Sequence, residues 1–191
     1  MSDVIFGTSR LVIRPWTESP ADVEFLFDMY SRWEVQRFLG AAPKVMESRD
    51  DAVAAARRLS TYPADQLFGS WAITARESQQ VLGTVLLKQL PLSAPTHPLP
   101  LPVSDDVEVG WHLHPDAWGH GYATEAAEGA LQRGFDGGLD DIYAVTYAEN
   151  VASQAVCRRL AMTDLGVTTK YYGIECRLFR RSRREVPAAQ R

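Results

Sequence analysis

Cysteine is scarce: only Cys157 and Cys176 occur among 191 residues, too few for a disulfide framework and in keeping with reduced, unpaired thiols. No apolar run approaches the roughly eighteen residues that a bilayer span requires. The opening residues, Met1 to Arg14, lack a basic patch followed by an apolar stretch, so neither a span nor a secretory signal is read and a cytoplasmic setting is expected. Positive charge is not in excess either. Against 20 Lys and Arg stand 24 Asp and Glu, a formal charge of -4 that offers no global field to hold nucleic acid through its phosphates. Internal repeats and low-complexity tracts are also lacking. What remains is an ordinary globular composition, 46% hydrophobic, 23% charged and 10% aromatic, at a length that suits one domain.

Within that composition the chain is clearly punctuated. Leu11-Val12-Ile13, between Arg10 and Arg14-Pro15, is a β-branched run closed by proline, hence a first strand. Ser19-Pro20-Ala21-Asp22 supplies a cap and a proline at the first helical position, with Val23, Phe25, Leu26, Phe27, Met29 and Tyr30 as the apolar side. Glu47-Ser48-Arg49-Asp50-Asp51 starts a second helix with acids at its positive end, and Tyr62-Pro63 stops it. Strand periodicity follows at 68–74 and 81–87, a hairpin across a polar turn. Five of the eleven prolines then fall between Pro91 and Pro102, a segment expected to be an extended surface loop, neither helix nor inner strand. Residues 107–113 read as a strand, 123–131 as a helix, 142–147 as a strand, 150–160 as a helix, and 163–169 and 175–180 as two last strands. The expected order is βααβββαβαββ, an α/β protein with a mixed sheet, helices on both sides and one core over residues 8–180. Arg177, Arg180, Arg181, Arg183 and Arg184 read as a solvated basic run, with 181–191 as a flexible tail.

A strand that runs into Trp118-Gly119-His120-Gly121-Tyr122-Ala123-Thr124 and then a helix leaves unpaired N–H groups at the positive end of that helix. That is an anion site by construction, and glycine lets a pyrophosphate approach the backbone. A Walker A loop would need Lys-Ser/Thr where Tyr122-Ala123 stands, and the dinucleotide fingerprint would need Gly or Ala at Thr124. The competing reading is a tight turn with no ligand.

Here the sequence resembles acetyl-CoA-dependent N-acyltransferases of the GNAT superfamily. These carry Q/R-x-x-G-x-G/A at this turn, with Trp118, Gly121 and Ala123 at the three specified positions and the first of them a departure. The run through residues 118–126 is similar to that of the RimJ/RimL-like branch, named for ribosomal-protein N-terminal acetyltransferases. Thr8-Ser9-Arg10-Leu11-Val12-Ile13-Arg14-Pro15, Val107-Glu108-Val109-Gly110-Trp111-His112-Leu113 and Glu149-Asn150-Val151-Ala152-Ser153 match three further segments of that branch in order. Leu160-Ala161-Met162 stands where the family usually has Leu-Gly-Phe, and the proline-rich loop is long.

The resemblance implies acetyl-CoA as donor, no metal, and a primary amine as acceptor, either a protein N-terminus or a small amine. It also implies backbone amides of Gly119, Gly121, Tyr122, Ala123 and Thr124 around the pyrophosphate, flanked by Trp118 and His120, and His112 and Leu113 beside the pantetheine arm. Arg158 and Arg159 would screen the other phosphates, or are simply solvated. Glu108 is the candidate general base, directly or through a water, against the reading of a solvated edge glutamate, with Asp105 and Asp106 as alternatives. Asn150 would bind the cofactor arm and Ser153 would reach the sulfur, although capping explains both residue types. Tyr171 and Tyr172 are further candidate acids, and Tyr172 is included in the catalytic set. His112 and His114 share a strand face, but no third ligand at fixed spacing accompanies them. Cys157 as a nucleophile is outweighed by a packing role. A homodimer is implied only by resemblance. The rivals are a non-catalytic acyl-CoA-binding module and a nucleotide-binding domain without acyl chemistry.

Overall fold

The computed structural model describes residues 4–61, 66–94 and 102–185. Its elements are β1 (Phe6–Gly7), β2 (Leu11–Arg14), α1 (Pro20–Tyr30), α2 (Trp33–Gln36), α3 (Arg49–Ser60), β3 (Gly69–Ala75), β4 (Val81–Pro91), β5 (Val103–Leu113), α4 (Tyr122–Asp136), β6 (Asp141–Thr146), α5 (Val151–Arg159), β7 (Thr163–Thr168) and β8 (Cys176–Ser182). The expected order holds with two additions, the two-residue β1 and the one-turn α2, both too short to carry a period.

One eight-stranded sheet runs β1-β2-β3-β4-β5-β6-β8-β7. Every neighbouring pair is antiparallel except β5 and β6. On one face α4 and α5 pack over Ile13, Trp71, Ile73, Val85 and Val109. The alanines Ala126, Ala127 and Ala130, all fully buried, let α4 lie close to the strands. On the other face α1, α2 and α3 enclose a second cluster around Trp16, Leu26, Met29 and Ala72. The single core expected is therefore two, one on each side of the sheet.

Local chemistry starts the helices as the sequence indicates. Ser19 accepts the Asp22 N–H with Pro20 at the first helical position, and Ser48 and Asp51 form a reciprocal capping box at α3. Asp22 is buried yet stays ionised: burial alone would raise its pKa, but a two-pronged Arg14 guanidinium at 2.7 and 2.9 Å and the Thr17 hydroxyl and N–H hold it below the ordinary carboxylate value.

Three expectations need correction. β4 continues to Pro91, which sits beside an irregularity in the β4–β5 register where a missing N–H is tolerated; residues 95–101 of the proline-rich stretch lie outside the described residues. Arg177, Arg180 and Arg181 are strand residues of β8 rather than part of a run, and Arg181 is buried with its guanidinium 2.5 Å from Glu128, while Arg177 stays partly exposed and Arg183 and Arg184 are exposed as expected. Only 186–191 of the expected tail lie outside the described residues.

The departure after α5 keeps the geometry that glycine usually provides. Met162 N–H bonds Cys157 C=O and Ala161 N–H bonds Arg158 C=O, both at 3.0 Å, with Ala161 left-handed at φ 52°. This is the helix-ending motif in which glycine costs least. Ala161→Gly should therefore stabilise the protein by about 0.5–1 kcal/mol in denaturant titration, the relief of left-handed strain exceeding the added chain entropy; a loss of stability would show that Ala161 carries no strain.

Candidate active site

β5 and β6 are parallel neighbours joined at one registered pair, Glu108 opposite Tyr143. Past it the strands form no further registered pair, and the space between their C-terminal halves is the site. A cleft of about 620 Å³ lies on the α4 side, and a cavity of about 200 Å³ lies over Glu108. Phe38, Leu39, Trp111, His112, Asn150 and Ser153 line both, so the two spaces meet there.

The cleft ends on the turn into α4. Gly119 and Gly121 both have φ 78°, a left-handed conformation that glycine adopts at least cost, and Gly121 caps the helix. None of the N–H groups from Gly119 through Thr124 has an acceptor among the described residues. They present donors to the cleft at the positive end of a fifteen-residue helix.

A glutamate in the first turn of α4 fixes this turn to the start of the chain. Glu125 accepts the Thr8 hydroxyl at 2.6 Å, the Ser9 hydroxyl at 3.0 Å, and the Arg10 N–H at 2.8 Å and Nε at 2.6 Å. Burial would raise its pKa, but these bonds outweigh burial and keep it below the ordinary value. Arg10 also bonds the His120 carbonyl at 3.0 Å and lies 4.9 Å over the Tyr122 ring. Thr8-Ser9-Arg10 and Glu125 stand within the matched segments, yet the sequence offers no sign that they meet.

At the root of the fork Glu108 is buried, not solvated. It accepts a hydrogen bond from the Tyr172 hydroxyl, and Lys88, its cross-strand partner on β4, approaches to 3.5 Å. Burial pushes the Glu108 pKa up, and Lys88 and Tyr172 oppose that only in part. The Tyr172 phenol is likewise pushed up, by burial and by the adjoining carboxylate. Asp105 is exposed and Asp106 is bound to Lys170 and Tyr171, so neither alternative base lines the cavity.

Asn150 caps α5 through the Ser153 N–H at 3.1 Å. The Ser153 hydroxyl has no partner among the described residues. Trp118, Gly119, His120, Gly121, Tyr122, Ala123, Thr124, His112 and Leu113 all line the cleft. Arg158 does not; Arg159 lines it instead, bonded to Thr124 at 3.2 Å. The strand histidines serve different partners, His112 bonding Tyr30 at 3.0 Å and His114 bonding Asp28 at 3.1 Å. Cys157 is fully buried and its thiol is pushed up to about 12 by burial, which suits packing. Lys88 and Tyr30 are site residues that sequence reasoning missed, because only strand register and helix packing bring them here.

This architecture is shared with solved proteins. The acetyltransferase (GNAT family) from Bacillus anthracis matches with a TM-score of 0.73 at 19% identity, covering 94% of this chain and 98% of that one. The ribosomal L7/L12 α-N-protein acetyltransferase RimL, solved with coenzyme A, matches with a TM-score of 0.68 at 16% identity over 94% and 97%. The fold is that of these solved acetyltransferases. Residues 10–163 match the Acetyltransferase (GNAT) domain, and the chain belongs to that family. It is also similar to the uncharacterized N-acetyltransferase YoaA of Bacillus subtilis (strain 168), 27% identical over 168 residues and 87% of each chain.

Burial, and the Lys88 charge after it, push His112 down to about 4. A folded pKa below the unfolded value of about 6.5 means stability is lost as pH falls from about 6.5 towards 4, where the unfolded chain takes up a proton that the folded one refuses. Imidazole NMR should show His112 neutral at pH 5, and a midpoint above 6 would contradict a pKa lowered by burial.

Proposed function

We propose that the protein moves the acetyl group of acetyl-CoA directly to a primary amine, a protein N-terminus or a small amine, in the manner of the RimJ/RimL-like branch and in a cytoplasmic setting. The observation that carries this reading is the meeting, at Ser153 and His112, of a cleft ending in open helix N–H groups with a cavity floored by a buried carboxylate. In this reading the amides of residues 119–124 hold the donor's pyrophosphate and the unpaired half of β5 receives the pantetheine arm. The thioester then lies near Ser153, and the amine enters over Glu108.

The chemistry follows from the groups present. The neutral amine nitrogen attacks the thioester carbonyl to form the new C–N bond, and Glu108 takes up the proton that this nitrogen loses as it becomes an amide. As the C–S bond breaks, the Ser153 hydroxyl passes a proton to the thiolate and is reprotonated from solvent, to which Glu108 returns the proton it took from the nitrogen. Tyr172, already donating to Glu108, steadies the base. Thr146 Oγ1, buried without a partner among the described residues, lines the cavity and is available to the acceptor.

One observation favours the rival binding module: Glu108 is engaged by both Lys88 and Tyr172. The two readings part on one experiment. Glu108→Gln should lower kcat/KM by about 100-fold or more while calorimetry shows acetyl-CoA affinity within about twofold of wild type. The wild-type kcat/KM should fall as pH drops through an apparent pKa above the carboxylate's usual value of 4.5, because the ionised form is the base and burial raises its pKa. Unchanged turnover in Glu108→Gln would remove Glu108 from the chemistry. Arg10→Ala should raise KM for acetyl-CoA about tenfold, some 1.4 kcal/mol, with kcat held within about twofold; an unchanged KM would mean that the turn keeps its shape without its clasp.

A further inference from the structure

We infer that Ser93 is a positioning residue for catalysis, and that the entry to the proline-rich β4–β5 connection works as a clamp holding Tyr172 against Glu108. The inference rests on the reading of Glu108 as the base.

Tyr171 to Ile174 form a tight turn, with the Ile174 N–H reaching the Tyr171 carbonyl at 3.4 Å. Its two central residues have φ 60° at Tyr172 and 71° at Gly173. Positive φ at both centres belongs to the turn type that favours Asn-Gly. Gly173 meets that demand and Tyr172 does not. A bulky residue in this region is strained, so contacts outside the turn must hold it there.

Those contacts come from the end of β4. Tyr172 N–H donates to the Pro91 carbonyl at 3.0 Å, and Leu92 and Tyr171 form an antiparallel bridge. Ser93 then uses each of its donors and its hydroxyl oxygen on the same segment. Its N–H donates to Lys170 C=O at 2.8 Å, its hydroxyl donates to Thr169 C=O at 2.6 Å, and its oxygen accepts the Gly173 N–H at 2.8 Å. Ser93 itself is anchored, because Leu92 N–H bonds the Pro102 carbonyl at 2.6 Å and the Ser104 hydroxyl bonds the Leu90 carbonyl at 2.9 Å, closing the base of the connection. From β5, Asp106 takes the Tyr171 hydroxyl at 2.7 Å and Lys170 Nζ at 2.6 Å. The turn between β7 and β8 is thus fastened to the β4–β5 hairpin, which also carries Lys88 and Glu108.

The consequence is chemical. The groups facing Glu108 are Lys88 from β4, Tyr172 from the turn and Cys176 from β8, and the same cavity takes in His112 and Tyr147. Of these, Tyr172 alone is placed by Ser93. Loss of the clamp withdraws a hydrogen bond from the carboxylate, its ionised form becomes less favoured, and the acid limb of kcat/KM moves to higher pH.

The test compares pH profiles of kcat/KM for the purified full chain, with folding checked by thermal melts. Ser93→Ala should move the acid limb upward by about 0.5–1 pH unit, the same direction as Tyr172→Phe. It should lower kcat at neutral pH while leaving KM for acetyl-CoA unchanged, since Tyr172 does not line the donor cleft. Ser93→Thr, which keeps the hydroxyl, should restore the profile, and Ser93→Ala should add no further shift in a Tyr172→Phe background. A shift in Tyr172→Phe with none in Ser93→Ala overturns the clamp and leaves the base reading intact. An acid limb that persists in Glu108→Gln defeats the base reading instead. If Ser93→Ala does not fold, Asp106→Ala loosens the same turn from its other side, and an unmoved limb there overturns the proposal.

Discussion

The molecule is organised around the single registered pair between β5 and β6. Where Glu108 faces Tyr143 the sheet is continuous, and beyond that point it is split. A parallel pair joined through a helix puts the start of that helix beside the C-terminal end of the first strand, so the open amides of α4 and the unpaired half of β5 face the same space. The fork therefore determines where a donor can lie, and the pair at its root determines where a carboxylate can be buried next to it. Every other feature of the site adjusts one of these two ends.

Each end is secured from a distant part of the chain. The α4 turn would be a loose run of glycines if Glu125 were not held by Thr8, Ser9 and Arg10. A carboxylate near the helix start is favourable with the dipole but would repel a phosphate, and the Arg10 guanidinium offsets that charge. At the other end, Tyr172 reaches Glu108 from a turn that Pro91, Ser93 and Asp106 hold. Both fastenings join segments remote in sequence, so the two ends of the fork are set by tertiary structure rather than by local propensity.

This explains what was legible in the sequence. Periodicity and caps were sufficient for the long elements: Ser19-Pro20, the Ser48–Asp51 box and the alanine face of α4 are local signals, and the structure follows them. The glycine turn was legible because a left-handed residue before a helix has few sequence solutions. Lys88, Tyr30 and the Arg10–Glu125 clasp were not, because each depends on cross-strand register or on helix packing that no local pattern encodes. The burial of Arg181 and the strand placement of Arg177 and Arg180 were not legible for the same reason. A run dense in arginine looks solvated until its partners Asp164, Asp141 and Glu128 are brought alongside by the sheet and α4.

Several departures from local rules meet at the fork. Open helix N–H groups, a buried carboxylate, a left-handed tyrosine and the unpartnered Thr146 hydroxyl all border the fork. Left-handed Ala161, by contrast, lies in a helix-ending motif whose hydrogen bonds are made, so its strain is local and a glycine would relieve it. Tyr172 is different in kind. Glycine there would ease the backbone but remove the phenol that Glu108 binds, so the strained conformation is retained together with the side chain that requires it. The strain at Ala161 is thus separable from function, whereas at Tyr172 relaxing the backbone and keeping the hydrogen bond are mutually exclusive, and the β4 clamp is what makes the strained choice sustainable.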